Sequence, residues 1–498
     1  MIMGVANCIR STIHLFGRIG LVLFFLCTIL LAQGNELDKL NKDFEDYKKS
    51  ENKRWDSFRE KENRAFADFL KSGWVSVKTQ TALLSIPSPP LPDEFIQDNA
   101  EPKKLEEPRE QLDTELPKAN VHPIPFDAAS TIDSNWSSTD SQSPRVEIDF
   151  FGSSIRIPYP EKILIQPKGI SESDISQYWA EVSKVDYSIM TKEMEKISNQ
   201  YKLGDWARFI LLKQVSEKMF TTSNQQILFQ FFLWNQLGFH ARVAASSNEL
   251  ILLLPSKHKL YGLPFVALEG NRYYIVSGQN TGMMRTFSRD FSKSNKPIDL
   301  ELKQSPVFNY KQSQRKLKPA KQNVASLMEY NQNLIDFMSI LPQTDLDVIF
   351  KASVEETVTL KFKKDLSPFL VGKSELEQVS VLLNFVQQSF SYKTDQEQFG
   401  REKYFYVEEI LHYPYSDCED RAVLFAWLVR TLVGIPVIGL SYETHVATAV
   451  EFSEITKGDA VDWRGKKYIV CDPTYIGAGV GLSMPGMRNQ AFRVIDIP

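Results

Sequence analysis

A thiol, an imidazole and a carboxylate follow one another near the end of this chain. Cys418 lies in Ser416-Asp417-Cys418-Glu419-Asp420-Arg421-Ala422, His445 in Thr444-His445-Val446, and Asp472 in Cys471-Asp472-Pro473-Thr474-Tyr475. A nucleophile, a base and a group that orients the base are what thiol acyl transfer needs, the thiolate attacking a carbonyl carbon to form a thioester. Histidine is scarce, six in 498 residues, so His445 is not one of many.

The local patterns say which elements must carry these groups. Cys418 precedes an apolar run with helical spacing (Ala422, Val423, Leu424, Phe425, Trp427, Leu428, Leu432, Val433) that stops at Gly434-Ile435-Pro436. Ser416 or Asp417 can cap its start. A cysteine in a first helical turn meets free backbone amides, which favour the thiolate and can bind the oxyanion of a tetrahedral intermediate. The bland alternative is an inert buried cysteine; the acidic neighbours Asp417, Glu419 and Asp420 argue against an apolar pocket. His445 lies in Glu443–Phe452, a strand by its β-branched content, with His445, Ala447 and Ala449 on one face. Small residues there leave room for a helix end or a substrate backbone, although a lone strand histidine is more often structural. Asp472 ends the apolar strand Lys467–Cys471, from which a carboxylate can reach a neighbouring imidazole and fix its tautomer. Asp-Pro also commonly opens a turn.

Taken in order, Ser416 to Ala422, Leu424 to Leu428, Gly434-Ile435-Pro436-Val437, His445, Trp463 and Asp472-Pro473-Thr474-Tyr475 resemble the transglutaminase-like superfamily, which includes papain-like folds. The resemblance spans about residues 374–485. It implies an α+β fold in which a helix carrying the cysteine packs on an antiparallel sheet, with Cys418 as nucleophile, His445 as base and Asp472 as orienter. Tyr392, at the end of a predicted helix Glu375–Ser389, matches a tyrosine that the family often places beside the site. Asp417 and Tyr475, flanking the site residues, are the other candidates for substrate contact. Ser416 stands where members often have Gly, and Val446 follows the histidine where Ala-Trp is common; both bear on substrate preference. The resemblance implies peptidase, amidase or cross-linking chemistry on a protein or peptide substrate, and no cofactor. Nothing in the chain marks a dry tunnel for an amine, so hydrolysis is favoured. A zinc reading of Cys418, His445 and Cys471 or Asp472 lacks a fourth ligand and any CxxC, and no acidic run resembles a calcium loop.

Composition bounds the rest. The chain is 43% hydrophobic and 12% aromatic, with room for two to three domains. A net charge of −4 gives no case for nucleic acid. Arg10 and Arg18 precede the apolar stretch Ile19–Ala32, so residues 1–32 read as a secretory signal peptide or an uncleaved N-terminal anchor. That implies export to a periplasmic or extracellular compartment, with membrane contact only through this segment. Its removal takes Cys8 and Cys27 and leaves Cys418 and Cys471, too few for a disulfide-built protein. Cys471 and Asp472 alternate on a strand, so if Asp472 faces the site, Cys471 faces away.

Residues 33–80 are predicted to form a charged helical segment and residues 81–145 a disordered Pro/Ser/acidic linker. Residues 146–300 read as an α+β domain, with strands over 146–151 and 154–157 and helical periodicity over 173–236. Ile227-Leu228-Phe229 through Leu237-Gly238-Phe239 lays over Val423-Leu424-Phe425 through Val433-Gly434-Ile435 at a shift of 196. The domain is therefore a candidate degenerate repeat, with Thr222, Glu249 and Gly278 where the second copy has Cys418, His445 and Asp472. A basic, solvated linker is expected over 301–324, then the catalytic domain 325–498, opening with a helix over 325–341 and strands over 345–353 and 357–362. A non-catalytic envelope scaffold built on two such domains is the alternative class of function.

Overall fold

The computed structural model describes residues 34–84, 143–247, 249–278, 282–317, 327–454 and 456–497. The predicted leader and nearly all of the predicted linker lie outside these residues. The chain forms two units, residues 1–68 and 69–498. Among the described residues no helix is long and apolar enough to cross a membrane.

The first unit holds most of α1 (Gly34–Leu70), one continuous helix of 37 residues. The helical segment predicted to reach residue 80 ends earlier. Ser72 and Gly73 turn back onto the Phe69 carbonyl at 3.2 and 3.1 Å, and β1 (Trp74–Lys78) follows as a strand. The alternation Trp-Val-Ser-Val-Lys decides this, because β1 pairs along its length with a strand some 200 positions later, Trp74 opposite Phe287.

In the second unit, β2 (Arg145–Phe150) and β3 (Ser153–Pro158) form a hairpin. Val146, Ile148, Phe150, Ile155 and Ile157 are buried while Arg145, Glu147 and Asp149 face out, as period-two patterning demands. Four helices follow: α2 (Glu172–Val182), α3 (Ser188–Gln200), α4 (Asp205–Met219) and α5 (Ser223–Gln236). The Thr222 side chain caps α5, and Ile227 to Asn235 are all buried. This helix packs against β4 (Arg242–Ser246) and β5 (Glu249–Pro255). Those strands join β6 (Phe265–Leu268), β7 (Asn271–Ser277), β8 (Met283–Phe287) and β1 in an antiparallel sheet of order β1-β8-β4-β5-β7-β6.

Over residues 301–317 the basic stretch is not a solvated connection. Leu300, Leu302, Phe308 and Leu317 are buried between its lysines, and β9 (Gln312–Lys316) pairs with β10 (Leu327–Asn331). The helix predicted over 325–341 is a strand first and then α6 (Gln332–Met338). The two strands predicted next are helices, α7 (Leu346–Phe350) and α8 (Glu356–Leu366). Val358, Leu360 and Phe362 alternate like a strand, but Leu360 is 49% exposed and the buried set is Val358, Phe362 and Leu366, four apart.

Next come α9 (Glu375–Ser389), β11 (Ser391–Tyr392), α10 (Asp395–Phe399), α11 (Val407–His412), β12 (Tyr415–Ser416) and α12 (Cys418–Leu428). A π-helical turn, Val429–Val433, carries α12 to Gly434, whose φ of +81° closes it. Then β13 (Val437–Ser441), β14 (Val446–Glu451), β15 (Ala460–Trp463), β16 (Lys466–Cys471) and β17 (Arg493–Asp496) form an antiparallel sheet of order β15-β16-β14-β13-β17. With α12 packed on β13 and β14, the expected helix-on-antiparallel-sheet arrangement is present. The two sheets share a connectivity. Each follows a buried helix, and in each the five strands after that helix lie in the order fifth, first, second, fourth, third.

Candidate active site

The cysteine is delivered by a short parallel pairing. Ser391 lies opposite Tyr415 and Tyr392 opposite Ser416, which fixes where the chain enters α12. Asp417 is the extended N-cap and Cys418 the first helical residue. The Asp420 carboxylate accepts from the Asp417 amide at 3.3 Å and the Phe405 amide at 2.9 Å, locking the helix start to the segment before α11. Arg421 ties the same turn down from inside. Its Nη2 donates to the Phe390 carbonyl at 2.7 Å and its Nε to Ser416 Oγ at 3.3 Å. Cys418 is 1% exposed, and its thiol donates to Glu419 Oε2 at 3.0 Å.

His445 sits in the turn between β13 and β14, where its carbonyl accepts from the Tyr442 amide at 2.8 Å. Its Nε2 meets Asp472 Oδ2 at 2.8 Å, both residues being buried. Asp472 Oδ1 accepts from the Thr474 and Tyr475 amides at 2.9 and 3.1 Å. The carboxylate is thus gripped by its own loop on one side and aimed at the imidazole on the other. Burial draws the His445 pKa down, but the charge and hydrogen bond of Asp472, with the charge of Glu419, carry it above the ordinary value. Ala447 and Ala449 are both buried. They pack in a cluster with Leu440, Tyr442, Tyr468 and Val470.

Glu419 connects the thiol to a nest of buried acids. Ligand oxygens of Asp395, Asp417 and Glu419 lie within 4.8 Å of one another. Burial first, then the Glu419 charge, pushes Asp395 up to about 8 and Glu402 up to about 10. Burial and the neighbouring carboxylates also raise Asp417 and Asp420 well above the usual range. Carboxylates this close disfavour one another's ionisation, and Asp395, Asp417 and Glu419 are the residues that could hold a hard cation. Burial lowers the Arg421 guanidinium to about 10. A second acidic group, His258, Asp299 and Glu301, is already paired with Lys257 at 2.8 Å and Lys303 at 3.6 Å.

The three candidates for substrate contact fall in different settings. Asp417 is 1% exposed and belongs to the acid nest. Tyr392 is half-buried with its ring under Arg421, the guanidinium 5.4 Å from the ring centre. Tyr475 is half-buried on the loop that follows Asp472. Cys471 is a free, fully buried thiol whose pKa burial pushes up.

Searches of family models, of curated proteins and of solved structures find no match to this chain. Four further residues complete the site. Glu419 holds the thiol proton and Arg421 anchors the helix turn. Arg315, on β9, donates to the carbonyls of Ile410 at 3.0 Å, Pro414 at 2.9 Å and Tyr413, fixing the approach to β12. Gln387, on α9, binds the loop after Asp472. The acidic residues beside Cys418 were a visible signal for Glu419; the other three act on backbone carbonyls far away in sequence.

Proposed function

We propose that the chain is an exported, cysteine-dependent acyl-transfer enzyme acting on peptide or carboxamide bonds, with hydrolysis favoured over amine cross-linking. The observation that carries this reading is the buried His445–Asp472 pair at 2.8 Å in the sheet that packs on the helix led by Cys418. Asp472 Oδ2 accepts a hydrogen bond from Nε2–H, leaving Nδ1 as the nitrogen able to accept the thiol proton. In the reaction Sγ–H passes its proton to Nδ1, and the thiolate attacks the carbonyl carbon. The C–N bond breaks, and the leaving amine takes the proton from the imidazolium. Water then attacks the thioester, releasing the acid and restoring the thiol. First-turn amides of α12 are the candidate donors to the oxyanion.

Cys418 and His445 are 1% and 4% exposed, so substrate reaches them only when the surrounding wall opens. Closure of the site, with the thiol bonded to Glu419, favours the second reading, a non-catalytic scaffold in which the first sheet is a decayed copy of the second. In that first copy the position matching Asp472 is Gly278 (φ +96°), where an added Cβ would lie 2.7 Å from the Leu250 carbonyl oxygen. No carboxylate fits there. Screening peptide and carboxamide substrates with wild type and Cys418→Ala separates the readings. Turnover lost in the variant supports the enzyme, whereas a partner captured equally by both forms, with no turnover in either, supports the scaffold.

A further inference from the structure

Gln387 lies near the end of α9 and is 3% exposed. Its side-chain amide is taken up by one loop. Nε2 donates to the carbonyls of Asp472 at 3.0 Å, Tyr475 at 2.9 Å and Ala478 at 3.1 Å. Oε1 accepts from the Gly477 amide at 3.2 Å. Three carbonyls from positions 472, 475 and 478 therefore converge on one NH2 group, which curls the segment around the end of α9. Only a primary amide offers two donors and an acceptor in one plane at this reach. The loop so held contains Asp472, and its Thr474 and Tyr475 amides grip Oδ1.

We infer that Gln387 is the positioning residue of the His445–Asp472 pair: by fixing the curvature of residues 472–478 it keeps Asp472 Oδ2 aimed at His445 Nε2. Gln387 touches neither imidazole nor thiol by any of these bonds, so it acts through Asp472. What it positions has catalytic meaning only on the proposed thiol chemistry, but the coupling it maintains can be measured without turnover.

The test is the titration of the His445 imidazole by NMR in the full chain, the resonance identified with His445→Ala. Wild type is expected to titrate above the ordinary value. Gln387→Met keeps the volume and removes all four hydrogen bonds; its His445 midpoint is expected to fall by about half a pH unit or more toward ~6.5. Leu382→Ala, a fully buried change on the same helix, loosens the packing and should leave the midpoint in place. An unchanged midpoint in Gln387→Met, or an equal fall in Leu382→Ala, overturns the inference. Should Gln387→Met not fold, hydrogen exchange in wild type decides. Gly477, Thr474 and Tyr475 amides exchanging together in one opening event support the inference; fast exchange at Gly477 with protection at the other two overturns it. Failure of the enzyme reading shows separately, as an ordinary pH profile for alkylation of Cys418.

Discussion

His445 uses Nε2 for Asp472, and the stability of the protein should record that bond. The folded pKa of His445 is raised, so its contribution is complete below the unfolded value of ~6.5 and is lost as pH rises through the folded value. In Asp472→Asn the partner charge is gone, and burial opposes the charged imidazole with only the Glu419 charge left to favour it. Denaturant unfolding should therefore show Asp472→Asn losing more stability at pH 5 than at pH 8; an equal loss at both would mean that the pair carries no charge coupling. The acid nest has a slope of the same sign, over a wider window. Asp395 titrates at about 8 when folded, against ~3.9 when unfolded. Between those values the folded state holds a proton that the unfolded state has released, so stability falls as pH rises across that window. Asp395→Asn should flatten the fall, keeping an acceptor for the Lys403 amide at 2.7 Å. A slope identical to wild type would show that the nest is not held by protons at this residue.

Two elements set the helix start that presents Cys418. From inside, Leu424 is fully buried on α12, and Leu424→Ala should cost about 2–5 kcal/mol. From outside, Arg315 gathers the carbonyls that precede β12. Replacing Arg315 by Ala should cost about 2 kcal/mol in chemical denaturation, in line with charged hydrogen bonds to backbone; a loss below about 0.5 kcal/mol would reduce it to a surface contact. The contrast explains what the sequence could reveal. The helix of Cys418 announces itself through a cap, an apolar run and a Gly stop, and α9 through its periodicity. The partnership of His445 and Asp472 follows from strand ends that bring them together. Arg315 and Gln387 leave no such mark, because their partners are backbone carbonyls 85 to 99 positions away. Val358, Leu360 and Phe362 alternate as in a strand, and only the exposure of Leu360 settles the helical period of α8. β1 falls within the segment expected to be helical because the strand that holds it extended lies some 200 positions later.

At the scale of the molecule, residues 69–498 are one compact unit, although the length leaves room for two to three domains. The two helix-and-sheet assemblies are tied through residues 343–345. Tyr261 donates its amide to the Gln343 carbonyl and its hydroxyl to Asp345 Oδ1, both at 2.8 Å, and Thr344 Oγ1 donates to the Lys259 carbonyl at 2.9 Å. Gln343 in turn accepts from the Tyr404 amide at 2.7 Å, just before α11. The first assembly thus supports the segment that borders the acid nest. A fragment of residues 325–498 should accordingly fail to show cooperative unfolding or a native near-ultraviolet spectrum; a fragment that folds on its own would make the first assembly dispensable. The most direct test of the thiol chemistry is the pH dependence of Cys418 alkylation by iodoacetamide, read by mass spectrometry in wild type and His445→Ala. An activated pair predicts reaction persisting well below the free-thiol value of about 8.5 in wild type and lost in the variant. An ordinary thiol profile, the same in both proteins, would contradict it.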